Sequence, residues 1–166
     1  MHEQKFLCSI LSYTLIDFRV QAIENHDDMV YRLSHLFHNV PFQLLEEDRT
    51  AAGYAWVLET GGEWLEDKKE KFLQQFPNLA PEENKREYLA FLLQAAFTDL
   101  EIHGKSTGNK PLYWLCHLLH DVPVQLLHPD TAAKECKNLE EKFKELKVEK
   151  WLENRKREYN EWYNES

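Results

Sequence analysis

Apolar side chains recur every three or four residues along most of the chain, which is the spacing of one face of an α-helix. The first such stripe comprises Leu7, Ile10, Leu11, Thr14, Leu15 and Phe18. A comparable stripe later in the chain comprises Tyr88, Leu89, Leu92, Leu93, Ala96, Phe97 and Leu100. Glycine is sparse, with 5 residues among 166, and long runs without glycine or proline favour helices over a turn-rich β fold. The pattern predicts an all-α protein.

One of these helical stretches occurs twice. Residues 31–45 read YRLSHLFHNVPFQLL and residues 113–127 read YWLCHLLHDVPVQLL, at an offset of 82 positions without a gap. Asp17 meets Asp99 at the same offset, and WLEDKK from residue 64 resembles WLENRK from residue 151. Self-similarity of this length is typical of a duplicated structural unit.

We therefore predict one domain, residues 1–166, built from two similar helical halves. The halves span about 1–80 and 81–166, and we expect them to pack about a pseudo-two-fold axis. The proline-flanked segment 77–81 joins them.

Each copy of the repeat has an apolar face and a polar face. The polar face carries a tyrosine and two histidines at spacings i, i+4 and i+7, which fall on one side of a helix. We call these sets the first Tyr-His-His face, Tyr31, His35 and His38, and the second Tyr-His-His face, Tyr113, His117 and His120. Their repetition makes them the candidate binding residues, with Asp17 and Asp99 as repeated acids that support them. We expect each aspartate to bond a histidine, a tyrosine or a backbone N–H.

A proline follows each face, at Pro41 and Pro123. Proline disfavours helical geometry in the residue before it but is tolerated in a first turn. We therefore expect a short second helix after each break, with Asn39 and Asp121 as N-caps.

Three further boundaries are predicted in the second half. Glu82 and Glu83 should lie in the first turn of its first helix, where acids suit the dipole. Residues 104–110 should form a loop. The charged C-terminal region should be one long helix, or two helices with a break near Val148.

The formal charge of −9 changes the functional picture. General nucleic-acid binding requires a basic footprint, so we expect no nucleic-acid partner. Acidity is compatible with a basic protein partner or with mimicry of a phosphate backbone, or it simply keeps the protein soluble. No glycine-rich phosphate loop, nucleophile elbow or Cys/His nucleophile pattern is present, so enzyme activity is uncertain and not favoured.

The remaining composition suggests the compartment. Three cysteines, Cys8, Cys116 and Cys136, cannot all pair, and a reducing cytoplasm suits them best. The start, MHEQKFLCSILSYTLIDF, contains an acid and no small-residue cleavage site, so we expect no secretory signal. From the sequence pattern we expect no apolar stretch of the roughly 18 residues that a membrane span needs, and therefore no membrane partner.

Three roles are open for the four histidines. They either pack where the halves meet, or form a surface for a partner or small ligand, or bind a transition metal. A metal site would require His35, His38, His117 and His120 to converge, since neutral imidazoles ligate zinc, copper and iron.

The sequence thus favours a small acidic cytosolic binding protein without a cofactor. Small acidic bacterial immunity proteins, which neutralise basic toxins, have this general character, although no motif is shared. The alternative is a metal-binding protein or metal-dependent enzyme that uses the duplicated histidine pairs. The sequence gives no oligomeric state.

Overall fold

The computed structural model describes residues 2–164, with side chains through residue 161, as ten α-helices and one 3-10 helix. The prediction of an all-α fold is confirmed for this part of the chain. The α-helices are α1 His2–Asn25, α2 Asp28–Phe37, α3 Val40–Gln43, α4 Glu47–Thr60, α5 Gly62–Gln75, α6 Lys85–Thr107, α7 Lys110–Leu119, α8 Val122–Gln125, α9 Pro129–Glu145 and α10 Glu149–Asn164. The 3-10 helix is Pro81–Glu83.

Two long helices, α1 and α6, organise the core. Helix α1 packs against α2, α3 and α9, and α6 packs against α7, α8 and α4. Their apolar stripes are fully buried, including Leu7, Leu11, Leu89 and Leu93 at 0% exposure. Burial of each such leucine contributes about 1.5–3 kcal/mol relative to exposure, so these two helices fix the positions of the others.

Helix α1 corrects the expectation that no stretch is long enough to cross a membrane. By length and composition it qualifies as a candidate span, with 24 residues and a mean hydropathy of 1.3 in its most apolar window. That window is 61% buried inside the protein. Core helices of soluble proteins and signal sequences near an N-terminus both pass the same test of length and composition, and α1 packs against α2, α3 and α9.

The predicted short helices are confirmed as α3 and α8, which hold Pro41 and Pro123 in their first turns. Asn39 and Asp121 occupy their N-cap positions, but neither side chain makes a capping hydrogen bond. Side-chain caps form instead at the N-termini of α2 and α7, the helices that precede α3 and α8. Asp27 accepts from the backbone N–H of Val30 on α2, and Asn109 accepts from that of Leu112 on α7, both at 3.3 Å.

The predicted loop over residues 104–110 is wrong, because α6 continues to Thr107. Gly104 lies within this helix at its close approach to α7, where a Cβ would stand 2.8 Å from the backbone N of Tyr113. Gly108, with φ of +72°, ends the helix. Glu82 and Glu83 also differ from prediction, since they lie in the 3-10 helix and α6 begins at Lys85.

The C-terminal region forms two helices, as the second of the two alternatives predicted. Lys147, with φ of +58°, turns the chain between α9 and α10. The rings of Phe143 and Trp151 then stack across the turn, with centroids 5.2 Å apart. Leu152 and Tyr159 are buried, so α10 packs back on the core through one side of a charged helix.

Candidate functional site: two Tyr-His-His faces and an acidic cleft

The first Tyr-His-His face is an aromatic array on α2. The rings of Tyr31 and His35 stack with centroids 5.6 Å apart and planes at 4°. Trp56 of α4 meets His35 edge-on at 5.8 Å, and its indole N–H donates to the carbonyl of Leu36 at 2.9 Å. The indole hydrogen bond holds α4 against the face, so the array is preformed.

Positive charge adjoins this first face. The guanidinium of Arg19, on α1, lies 5.9 Å from the ring centroid of Tyr31. Burial lowers the pKa of His35, and the nearby charges of Arg19 and His38 lower it further. Nδ1 of His38 lies 3.0 Å from the backbone carbonyl of His35. The neutral form of His35 is therefore favoured, and one nitrogen of His38 is engaged by its own helix.

The second Tyr-His-His face, on α7, has the same ring stacking. Tyr113 and His117 stack with centroids 5.8 Å apart and planes at 17°. Trp114 meets His117 edge-on at 5.9 Å, and His120 lies 6.0 Å from His117. This face differs from the first in its tryptophan, which comes from the same helix and is 45% exposed.

A carboxylate adjoins the second face where the first has a guanidinium. Glu101, on α6, places Oε1 3.0 Å from Nδ1 of His120 and Oε2 3.5 Å from Nδ1 of His117. The outer nitrogen of His120, Nε2, lies 3.4 Å from Oδ2 of Asp121. One ligand atom from each of Glu101, His117 and His120 lies within 4.8 Å of the others.

The metal site considered as an alternative from the sequence would use all four histidines. Among the described residues, the cluster capable of holding an ion joins two of them, His117 and His120, to Glu101. Sequence comparison missed Glu101 because the aligned position in the first half is Arg19. The i, i+3 spacing of His117 and His120 indicated a possible pair of metal ligands. The third ligand, Glu101, comes from a separate helix and could not be found from that spacing.

The two repeated aspartates pair with cations on α10 and α5, which differs from the partners expected for them. Asp17 accepts from Nη2 of Arg155 on α10. Asp99 accepts from the indole N–H of Trp64 at 2.9 Å and pairs with Nζ of Lys68 at 2.9 Å, both on α5. Their contacts join helices distant in sequence and do not orient the histidines.

A cleft of about 700 Å³ opens where α1, α4, α6 and α9 come together. Five glutamates, all exposed, line it: Glu46, Glu47, Glu82, Glu83 and Glu87. Two cations, Lys85 and Arg86, also line it, which leaves a formal excess of three negative charges. The acids come from two separate segments of the chain, residues 46–47 and 82–87, so the sequence did not show that they share one surface.

The cations of the cleft are directed into the protein. Nζ of Lys85 lies 5.3 Å from the ring centroid of Tyr54. The guanidinium of Arg86 donates to the backbone carbonyls of Leu44, at 2.8 Å, and Leu127. The glutamates therefore dominate the electrostatic character of the cleft surface.

No family model, curated protein or solved structure matches this chain.

Proposed function

We propose that the chain is a small acidic cytoplasmic protein that binds and neutralises, or scaffolds, a basic protein partner. An immunity or inhibitor role, as in bacterial proteins that block a basic toxin, is the form of this function that we favour. The acidic cleft is the observation that carries the proposal. It gathers five exposed glutamates of a chain with a net charge of −9 onto one concave surface, which has a formal excess of three negative charges.

Charge placement supports a basic partner. Glutamates on both sides of a cleft repel one another, and a cationic segment bound between them relieves that repulsion. Clefts lined by one sign of charge raise the local concentration of the opposite charge and accelerate association. Arginine and lysine side chains of a partner are the groups that this surface would attract.

The construction of the cleft supports binding without rearrangement. Arg86 ties the carbonyls of Leu44 and Leu127 to the start of α6. Nε2 of Gln4 donates to the carbonyl of Leu126 at 2.9 Å on the same side of the protein. A preformed surface loses less conformational entropy when a partner binds.

The two Tyr-His-His faces are proposed as additional contact surfaces for the partner or a small ligand. Trp56 beside the first face is 37% exposed, and Trp114 beside the second is 45% exposed. Aromatic residues are enriched in protein interfaces, where they supply area at low entropic cost.

Tandem duplication about a pseudo-two-fold axis belongs to the same proposal, and matched contacts support it. Gln4 and Arg86 are 82 positions apart, as are Leu44 and Leu126. Gln4 donates to Leu126 and Arg86 donates to Leu44, so each half contacts the other in the same way. The cleft would then lie at the symmetry axis, where both halves contribute acids.

A charge-matched titration tests the proposed surface. The cleft variant carries Glu46→Gln, Glu82→Gln and Glu83→Gln. The control carries Glu141→Gln, Glu145→Gln and Glu149→Gln, which are exposed on α9 and α10. Fluorescence anisotropy with a short labelled polylysine peptide, at low salt, measures affinity. We expect at least a tenfold loss in the cleft variant and a much smaller loss in the control. Equal losses would show binding by net charge alone and would contradict the proposed surface.

A further inference from the structure

We propose that Glu101, His117 and His120 form a binding site for a divalent transition-metal ion such as Zn²⁺. The site is separate from the acidic cleft and does not depend on the proposed partner. It also differs from a four-histidine centre, because it uses one Tyr-His-His face only.

The donor set suits such an ion. Two imidazoles and one carboxylate ligate zinc in catalytic sites and iron(II) in oxygenases. Zinc lies about 2.0–2.2 Å from nitrogen and oxygen ligands, which places neighbouring ligand atoms roughly 3.4 Å apart in a tetrahedron. The separations of Glu101 oxygens from the two Nδ1 atoms are 3.0 and 3.5 Å. One ligand atom from each of the three groups lies within 4.8 Å of the others, so the groups would draw closer together to enclose an ion.

The surroundings favour a cation at this point. His120 is the C-cap residue of α7, and the C-terminal end of a helix dipole attracts positive charge. Asp121 faces the second nitrogen of His120 at 3.4 Å. Carboxylates in that position orient metal-binding histidines and raise their basicity.

The ion can enter from solvent and has space for further ligands. The side chain of His117 is 47% exposed, and those of His120 and Glu101 are 28% and 22% exposed. Thiols compete poorly for the ion. Burial, with nearby Glu3 and Glu140, raises the pKa of Cys136 to about 11, so that this half-buried cysteine retains its proton.

The first Tyr-His-His face serves as an internal control. Arg19 stands at the position that aligns with Glu101, and its guanidinium cannot ligate a metal. Nδ1 of His38 is engaged by the carbonyl of His35. The ring stacking is similar in the two faces, so the first face shows how the array behaves without a carboxylate beside it.

Competition of the full chain with a colorimetric chelator for added Zn²⁺ tests the site. We expect one equivalent of Zn²⁺ in the wild type and in His38→Gln. Glu101→Gln and His120→Gln should each weaken binding at least tenfold. If Glu101→Gln does not fold, as judged by circular dichroism, His117→Asn replaces it.

Two further readouts locate the ion. Zn²⁺ should raise the melting temperature of the wild type and of His38→Gln, since a ligand that binds only the folded state stabilises it. The visible spectrum of bound Co²⁺ should change in Glu101→Gln. Failure of the wild type to bind Zn²⁺, or equal binding by wild type and Glu101→Gln, would overturn the site. Neither result would affect the acidic cleft.

Discussion

Asp17 on α1 accepts a hydrogen bond from Arg155 on α10, across 138 positions of sequence. Asp99 on α6 pairs in the same way with Lys68 on α5. Arg155 also lies 5.2 Å from the ring centroid of Trp151, and Lys68 lies 5.7 Å from that of Trp64. In both pairs, an aspartate on a long core helix contacts a cation on a charged helix. The core helix is α1 or α6, and the charged helix is α10 or α5 respectively.

These two pairs should differ in their contribution to stability because they differ in burial. Asp99 and Lys68 are 21% and 9% exposed, whereas Asp17 and Arg155 are 46% and 17% exposed. Asp99→Asn leaves a buried ammonium with weaker partners and should cost about 1–3 kcal/mol. Asp17→Asn removes a solvent-screened pair and should cost less than about 1 kcal/mol. Urea denaturation measures both, and the reverse order of costs would contradict the assignment.

Gly104→Ala should destabilise the protein through crowding between α6 and α7. The added methyl would meet the backbone N of Tyr113 at 2.8 Å, and backbone atoms cannot rotate away. Overpacking of this kind costs typically about 1–3 kcal/mol. The control is Ser106→Ala, at an exposed position of the same helix, where the change should be within about 0.5 kcal/mol. Thermal denaturation distinguishes the two, and a neutral Gly104→Ala would show that the helices separate readily.

Glu135→Gln should stabilise the protein at neutral pH. Burial raises the pKa of Glu135, Asp121 raises it too, and nearby Lys142 opposes the shift. When the pKa of a carboxyl is higher in the folded state than in the unfolded state, its proton stabilises the fold at pH values below the unfolded pKa, about 4.3. That stabilisation is lost as the pH rises through the folded pKa. The variant should therefore melt higher than the wild type at pH 7, by on the order of 2–4 °C for each 1 kcal/mol. The difference should shrink toward pH 4, and a constant difference would point to a cause other than ionisation.

His35 should make the fold sensitive to mild acid. Burial, Arg19 and His38 lower its pKa below the ordinary value of 6.5. As the pH falls, the imidazole is protonated in the unfolded chain at a higher pH than in the folded chain. The contribution of neutral His35 to the free energy of unfolding is therefore complete above the unfolded pKa and decreases as the pH falls below it. His35→Gln should reduce this loss below pH 6.5, whereas His128→Gln, at an exposed position, should leave it unchanged. Urea midpoints across pH 5–7 provide the measurement, and parallel curves for wild type and His35→Gln would contradict the prediction.

The sequence predicted the helices well where local chemistry sets them. Prolines at 41 and 123 marked the breaks before α3 and α8 correctly. Gly104 was misread because a glycine required for close packing looks the same in sequence as one that ends a helix.

The candidate sites were harder to predict from the sequence, because they depend on which helices pack against each other. Glu101 reaches the second Tyr-His-His face only because α6 packs on α7. The cleft glutamates similarly gather from separate segments. The internal repeat identified the two Tyr-His-His faces. It did not identify the carboxylate of Glu101, because the aligned residue in the first half is Arg19.

Affinity capture with three baits tests the proposed function most directly. The baits are the wild type, the Glu46→Gln, Glu82→Gln, Glu83→Gln cleft variant, and the Glu141→Gln, Glu145→Gln, Glu149→Gln control, each used in lysate of the cells that make the protein. We predict that a basic protein is enriched on the wild type and the control and is lost from the cleft variant. A partner retained equally by all three baits, or one that is not basic, would contradict the acidic cleft as the binding surface.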